Sequence, residues 1–254
     1  MDKYFKKLIN EIRIKSKLYK FDVEPTEIIY NVYLLRKFWK PKKIKILLLA
    51  ESHVWTELKE YKTTINNISN LNLDENYPTN YSKFVYCLGY GENHILKKKI
   101  DRNNGTPQFW KLFYGLFYDL SKENKVNVAK TYIKDADVRI SNKINLLNRM
   151  KEKGVWLLDA SPIALYRNGE KPNINFYKEV LDLSWKYYLK PYIEKERPDK
   201  IIIVGKQVYD TLENNFIESK LNNIEWIYQP QGVRSKEAIK NNYKKLFSIA
   251  SKII

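Results

Sequence analysis

The chain contains very little cysteine and histidine. Cys87 is the only cysteine among 254 residues, and His53 and His94 are the only histidines. A single thiol excludes an intrachain disulfide, and a cysteine-based zinc site would lack ligands. Two histidines also exclude a multi-histidine metal site. We therefore expect a protein that uses no metal and no other cofactor, with Cys87 packed in the interior rather than reactive.

Long apolar runs are missing as well. No run reaches the length needed to cross a membrane, and the N-terminus is basic and helical rather than signal-like. A chain without disulfides is typical of a reducing compartment. We expect a cytoplasmic monomer with no membrane partner, associated with the nucleoid if the source is prokaryotic.

Acidic residues are too few to balance the basic ones. The chain has 46 Lys and Arg against 29 Asp and Glu, a net charge of +17, and a pI near 9.6. Such a surplus attracts polyanions, which are DNA, RNA or an acidic membrane surface. A general bias toward Lys, Asn and Ile is the alternative explanation, but it does not by itself create a surplus over Asp and Glu. The charge, together with the many aromatic residues, favours a nucleic-acid partner.

The apolar run from Ile44 to Ala50 has the length of a strand and leads directly into Glu51, Ser52 and His53. A continuously apolar strand has both faces covered, as in the parallel sheets of α/β domains. Three later strands also end in polar groups. They are predicted at 154–158, 200–204 and 225–228, followed by Asp159-Ala160-Ser161, Gly205-Lys206 and Gln229-Pro230-Gln231-Gly232.

Helical patterns separate these strands, at 3–20, 26–39, from Pro107 onward, 136–152, 174–195, 206–212 and 236–253. This alternation predicts a three-layer αβα fold with a central, parallel, four-stranded sheet. Ligands bind beyond the carboxyl ends of such strands, so the polar groups named above are expected to share one cleft. The alternative is that each strand simply ends in an ordinary polar cap.

The whole chain, 1–254, is predicted to form one domain. Residues 1–43 supply N-terminal helices, and residues 56–105 form a long insertion rich in Asn, Lys and Tyr. Long loops of this kind are usually lids, binding loops or mobile segments. The basic run from Lys97 to Arg102 is expected to lie on the surface.

Taken in order, five segments resemble motifs of the uracil-DNA glycosylase superfamily, most closely its mismatch-specific and hypoxanthine branches. They are Leu49-Ala50-Glu51-Ser52-His53, Gln108-Phe109-Trp110-Lys111, Val155-Trp156-Leu157-Leu158-Asp159, Ile203-Val204-Gly205-Lys206 and Gln229-Pro230-Gln231. The resemblance covers residues 44–254 discontinuously. It implies an enzyme that flips an altered base out of DNA, double- or single-stranded, and hydrolyses its N-glycosidic bond.

The resemblance also implies roles for individual residues. Glu51 would stabilise an oxocarbenium-like transition state or orient water, and His53 would assist the water or contact phosphate. Asp159 would read the base, although it alternatively caps the next turn or is purely structural. Ser161, Phe109 and Trp110 are the other expected base contacts, whereas Lys206, Gln231 and Arg234 are the expected DNA contacts. For Glu51, the alternative is a buried carboxylate bonded to loop amides.

The last motif departs from the family pattern. Gln229 occupies the position of a histidine that donates to the departing base, and glutamine cannot become cationic. Losing a positioned donor to a developing anion typically costs about 10²–10³ in rate. Two other functions therefore stay open: a catalytically silent nucleic-acid-binding relative, and a small-molecule hydrolase that uses Glu51 and His53.

Overall fold

The computed structural model describes residues 3–66, 68–71, 73–122, 126–167, 169–229, 232 and 235–254. In chain order, its helices and strands are α1 (Lys3–Leu18), α2 (Thr26–Phe38), β1 (Ile46–Ala50), α3 (Leu58–Tyr61), α4 (Pro107–Gly115), α5 (Ala136–Lys153), β2 (Val155–Asp159), α6 (Ile174–Ser184), α7 (Lys190–Glu196), β3 (Lys200–Val204), α8 (Lys206–Glu218), β4 (Ile224–Ile227) and α9 (Lys236–Ala250). A π-helical turn, Trp185–Leu189, joins α6 to α7, and short 3₁₀ turns occupy Ile68–Leu71 and Asn93–Ile95.

The four strands form one sheet in the order β2-β1-β3-β4, and every pairing is parallel. All residues of β1 and β2 are buried, because both faces of these strands are covered. The edge strand β4 is half-buried over most of its length. The predicted fold class, a three-layer α/β arrangement around a four-stranded parallel sheet, is confirmed.

Helices cover the sheet in two groups. On one side α6 packs against α1 and α8, and on the other α4 packs against α5 and α9. Crossovers between parallel strands are nearly always right-handed. The chain moves from β1 to β2 and then returns across the sheet to β3, so the connections after β1 and β3 diverge. The carboxyl ends of these two strands therefore frame the crevice in which such sheets bind ligands.

The segment 56–105 is irregular, as predicted, but it packs into the core. Tyr77, Tyr81 and Tyr86 are almost completely buried, and Cys87 is fully buried. The Tyr86 hydroxyl accepts a hydrogen bond of 2.8 Å from the backbone N–H of Leu157 in β2. Burial raises the pKa of the Cys87 thiol to about 11, so this group stays protonated at neutral pH. The segment thus contributes to the hydrophobic core.

The two N-terminal helices also belong to the core. Helix α1 buries Phe5, Leu8, Ile9 and Ile12, and it packs against α6. Helix α2 buries Ile28, Ile29, Val32 and Leu35, together with Arg36. Within the described ranges, no helix combines the length and apolar character needed to cross a membrane.

We predict that Gly154→Ala destabilises the fold strongly. Gly154 ends α5 at φ 78°, and its carbonyl accepts from the N–H groups of Lys45 and Ile46 at the start of β1. A Cβ there would lie 2.7 Å from the Lys43 carbonyl oxygen. The loss of unfolding free energy should exceed the roughly 1–2 kcal/mol of left-handed strain alone, and urea denaturation measures it.

Gly169→Ala is the matched control. Gly169 has φ +86°, but a Cβ there meets nothing within 4 Å, so only the backbone strain applies. Equal losses in the two variants would show that the contact with Lys43 is harmless.

Candidate active site

A cavity of about 620 Å³ opens at the carboxyl edge of the sheet. We call it the strand-end cavity. Residues that follow all four strands line it, at the crevice framed by β1 and β3. The predicted site residues that it brings together are Glu51, His53, Phe109, Asp159, Lys206 and Gln229. Five of these six residues come from strand ends, and Phe109 comes from α4.

Glu51 is a half-buried carboxylate on the cavity wall. The Tyr166 hydroxyl donates to its Oε1 at 3.0 Å. Burial raises the pKa of Glu51, while the nearby hydroxyls of Tyr177 and Tyr166 and the charge of Lys171 oppose that rise. The Tyr177 hydroxyl is buried and forms no hydrogen bond of good geometry with a described residue. Glu51 therefore accepts a hydrogen bond from a phenol on the cavity wall, and its burial favours the protonated form.

The imidazole of His53 forms a hydrogen bond with a buried carboxylate. Glu24 is completely buried, and its Oε2 lies 2.8 Å from His53 Nε2. The same carboxylate accepts from the backbone N–H groups of Thr56 and Ala164, at 3.1 and 3.0 Å. This arrangement assigns a proton to Nε2, because a carboxylate can only accept. His53 Nδ1 is buried, forms no hydrogen bond within the described chain, and lies 3.8 Å from Asp159 Oδ2.

Asp159 forms a buried ion pair with Arg36. The side chains are 2% and 1% exposed, and an N–H of Arg36 donates to Asp159 Oδ2. The guanidinium also lies over the Phe84 ring, 5.0 Å from its centroid. Both Arg36 and His53 approach Oδ2, and Asp159 also lines the cavity. Asp159 can thus pair with Arg36 and also accept a hydrogen bond from a ligand.

Lys206, predicted to contact DNA, and Gln229, predicted to contact the leaving base, lie beyond the carboxyl ends of β3 and β4. Lys206 begins α8 with an exposed side chain, and its ammonium lies 2.7 Å from both carboxylate oxygens of Asp210. Gln229 is half-buried and lines the cavity. The amide of Gln229 can donate to a ligand, whereas the ammonium of Lys206 already pairs with Asp210 in the same helix.

Other predicted site residues lie elsewhere. Ser161 is fully buried and its hydroxyl donates to the Ile163 carbonyl at 2.7 Å. Trp110 is buried with its ring 4.9 Å from the Lys143 ammonium. Neither residue lines the strand-end cavity, so neither is placed to touch a ligand there. Gln231 and Arg234 fall outside the described residues.

Four further residues surround or support the site and were not predicted from the sequence: Glu24, Arg36, Tyr166 and Lys171. One signal was available for Arg36. It falls on the apolar side of α2, four residues after Val32 and seven after Ile29, and a charge at such a position needs a buried partner. Glu24 precedes its helix, and Tyr166 and Lys171 follow β2 in irregular segments. No spacing rule identifies these three.

The chemistry available here is that of carboxylates, an imidazole and phenols. No group of three or more His, Cys, Asp or Glu side chains in the described part of the chain is arranged to hold a metal ion. Comparison of the chain with protein-family models, curated proteins and solved structures finds no significant match.

We predict that Arg36→Met destabilises the protein by about 3–5 kcal/mol, because it leaves the Asp159 carboxylate buried without its partner. The double variant Arg36→Met/Asp159→Asn should lose less than Arg36→Met alone, since the Asp159 position then carries no unpaired buried charge. Urea denaturation of both single variants and the double variant provides the cycle. Additive losses would mean that the two side chains are not coupled.

Proposed function

We propose that this protein is a DNA base-excision glycosylase that hydrolyses the N-glycosidic bond of an altered base flipped out of DNA. The observation that carries the proposal is one cavity lined together by Glu51, Asp159, Phe109 and Gln229. It joins a carboxylate, an aromatic ring and two hydrogen-bonding groups at the ligand-binding edge of the sheet. The resemblance of the motif order to the uracil-DNA glycosylase superfamily supports the same function.

The cavity has the size and lining that a flipped nucleotide requires. Its volume of about 620 Å³ falls within the usual range of about 300–1,000 Å³ for ligand sites. Phe109 is half-buried in its wall and offers a ring on which a base can stack. Asp159 Oδ1 accepts from a base edge that presents an N–H group, because an ionised carboxylate has no donor. This favours a base with an N–H group on the edge that is read.

Glu51 supplies the catalytic carboxylate in this proposal. The departing base leaves positive charge on the sugar, which an ionised carboxylate stabilises while it orients the attacking water. Water adds its oxygen to C1′ of the sugar, the C1′–N bond breaks, and the base takes up the second proton of that water. Gln229 donates a neutral hydrogen bond to the departing base, a weaker aid than a cationic histidine.

His53 is a positioning group rather than a phosphate contact in this arrangement. It is only 4% exposed, and Glu24 fixes the orientation of its ring. Its Nδ1 points toward the Asp159 carboxylate at 3.8 Å. His53 would therefore limit sterically where the Asp159 carboxylate can lie, while Arg36 donates the hydrogen bond that holds this carboxylate in place.

Duplex or single-stranded DNA fits the charge of the chain. The net charge of +17 supplies the attraction that sequence-independent DNA binding requires. Binding should therefore weaken steeply as salt increases. A small-molecule hydrolase would not show this salt-dependent binding to DNA. A silent relative would bind DNA without releasing a base.

Glu51→Gln should lower base excision by about 10²–10⁴-fold, because the amide cannot carry negative charge. Excision is measured as strand nicking after alkali on oligonucleotides that contain uracil, hypoxanthine or xanthine. Binding to the same oligonucleotides should be nearly unchanged. Burial raises the pKa of Glu51, so its carboxyl stabilises the fold at low pH and this contribution is lost as pH rises through the folded-state pKa. At pH 7 the variant should thus be at least as stable as wild type.

The matched control is Glu170→Gln, which removes the same charge from an exposed residue outside the cavity. It should excise at the wild-type rate. Wild-type nicking by Glu51→Gln would remove Glu51 from the mechanism, and salt-sensitive binding without nicking in wild type would identify a silent DNA-binding protein.

The pH profile tests the state of Glu51. Excision needs the ionised carboxylate, so the rate should fall as pH drops through its pKa, which lies above the ordinary glutamate value. Tyr166→Phe removes a hydrogen bond that favours ionisation. The acid limb of the rate profile should therefore move to higher pH. A limb that stays in place would show that Tyr166 does not bond to the catalytic carboxylate.

A further inference from the structure

A second cavity, of about 290 Å³, adjoins the first. Thr106 and Gln108 line both cavities. Its charged lining residues are Lys111, Lys130 and Lys143, and no Asp or Glu side chain lines it. We call it the lysine cavity. A concave site that is lined only by positive charge is suited to an anion.

Lys143 lines this cavity and belongs to a buried cluster with more positive than negative charge. It is 4% exposed and pairs with Glu92, which also pairs with Arg139. Glu92 and Arg139 are 1% and 5% exposed, so this buried cluster holds two cations and one carboxylate. His94 lies 3.6 Å from Glu92 and adds no negative charge. Burial lowers the pKa of Lys143 even though Glu92 opposes the shift. A further anion beside Lys143 would offset this surplus.

Two more features of the cavity point to an anion with oxygen acceptors. Thr106 precedes α4 but makes no capping hydrogen bond, and its buried hydroxyl has no partner within the described chain. The hydroxyl can donate to a ligand beside the positive end of the α4 dipole. Lys111 and Lys130 form no ion pair with any residue that the structure describes. Their ammonium groups thus remain to bind a ligand.

We infer that the lysine cavity binds a phosphate group, and that this is a backbone phosphodiester next to the nucleotide held in the strand-end cavity. The choice of DNA as its source rests on the proposed function. The residues shared by the two cavities place a base and a neighbouring phosphate on either side of Thr106 and Gln108. The site would fix the register of the strand, because phosphate contacts position a protein on DNA without reading its sequence.

The first experiment uses inorganic phosphate and needs neither DNA nor catalysis. Thermal unfolding is compared in phosphate and in chloride at equal ionic strength. Phosphate should raise the unfolding temperature of wild type, since a ligand bound to the folded state stabilises it. The effect should be lost in Lys111→Gln/Lys130→Gln. It should persist in Lys220→Gln, which removes an exposed lysine just before β4, at the opposite edge of the sheet. No stabilisation of wild type, or equal stabilisation of all three proteins, overturns the site.

The second experiment identifies the source of the phosphate. Methylphosphonates replace single phosphates of an oligonucleotide on either side of the altered base, and affinity is measured with the uncleaving Glu51→Gln protein. One replacement should weaken binding about tenfold, since it removes a charged hydrogen-bond acceptor. The same replacement should have no effect once Lys111 and Lys130 are also glutamine.

The two experiments separate the possible failures. Stabilisation by phosphate without a sensitive position in the oligonucleotide would overturn the assignment to DNA and leave a site for free phosphate. A sensitive position together with failed base excision would retain the DNA contact and reject the glycosylase.

Discussion

The buried pair of Arg36 and Asp159 ties the N-terminal helices to the carboxyl edge of the sheet. Arg36 comes from α2, Asp159 ends β2, and the pair lies within reach of His53, which follows β1. Glu24 completes the group from the segment before α2. Two carboxylates, one guanidinium and one imidazole are thereby removed from water. Such groups are tolerated only when each has a partner, so the positions of α2, β1 and β2 depend on one another.

The topology of the sheet explains where the cavity forms. The connections after β1 and β3 run in opposite directions, and the gap between them is open to a ligand. The residues after β2 and β4 close the cavity on either side. The sheet thus supplies the cavity, whereas the N-terminal helices supply the buried charges behind it. Neither part forms the site alone.

The strands and most helices were predictable because burial on both faces leaves an unbroken apolar run, as in Ile46–Ala50. The convergence of Glu51, Asp159 and Gln229 was predictable because parallel strands present their carboxyl ends at one edge. The partners of these residues were not. Glu24 and Arg36 reach the site through tertiary packing of a region with no motif, and pairing across 123 residues, as between Arg36 and Asp159, leaves no periodic signal. The buried tyrosines of 56–105 were missed because tyrosine is common both in cores and on surfaces.

The bond from Tyr86 to the backbone of Leu157 has a consequence for how the site is entered. It fastens the segment that carries Lys83, Phe84 and Val85 to the edge strand β2, and those three residues form one wall of the strand-end cavity. Burial of Tyr86 and its hydrogen bond hold this wall against the sheet. A ligand would then meet a cavity shaped in advance, and any strain of fitting would be carried by the ligand rather than by the protein.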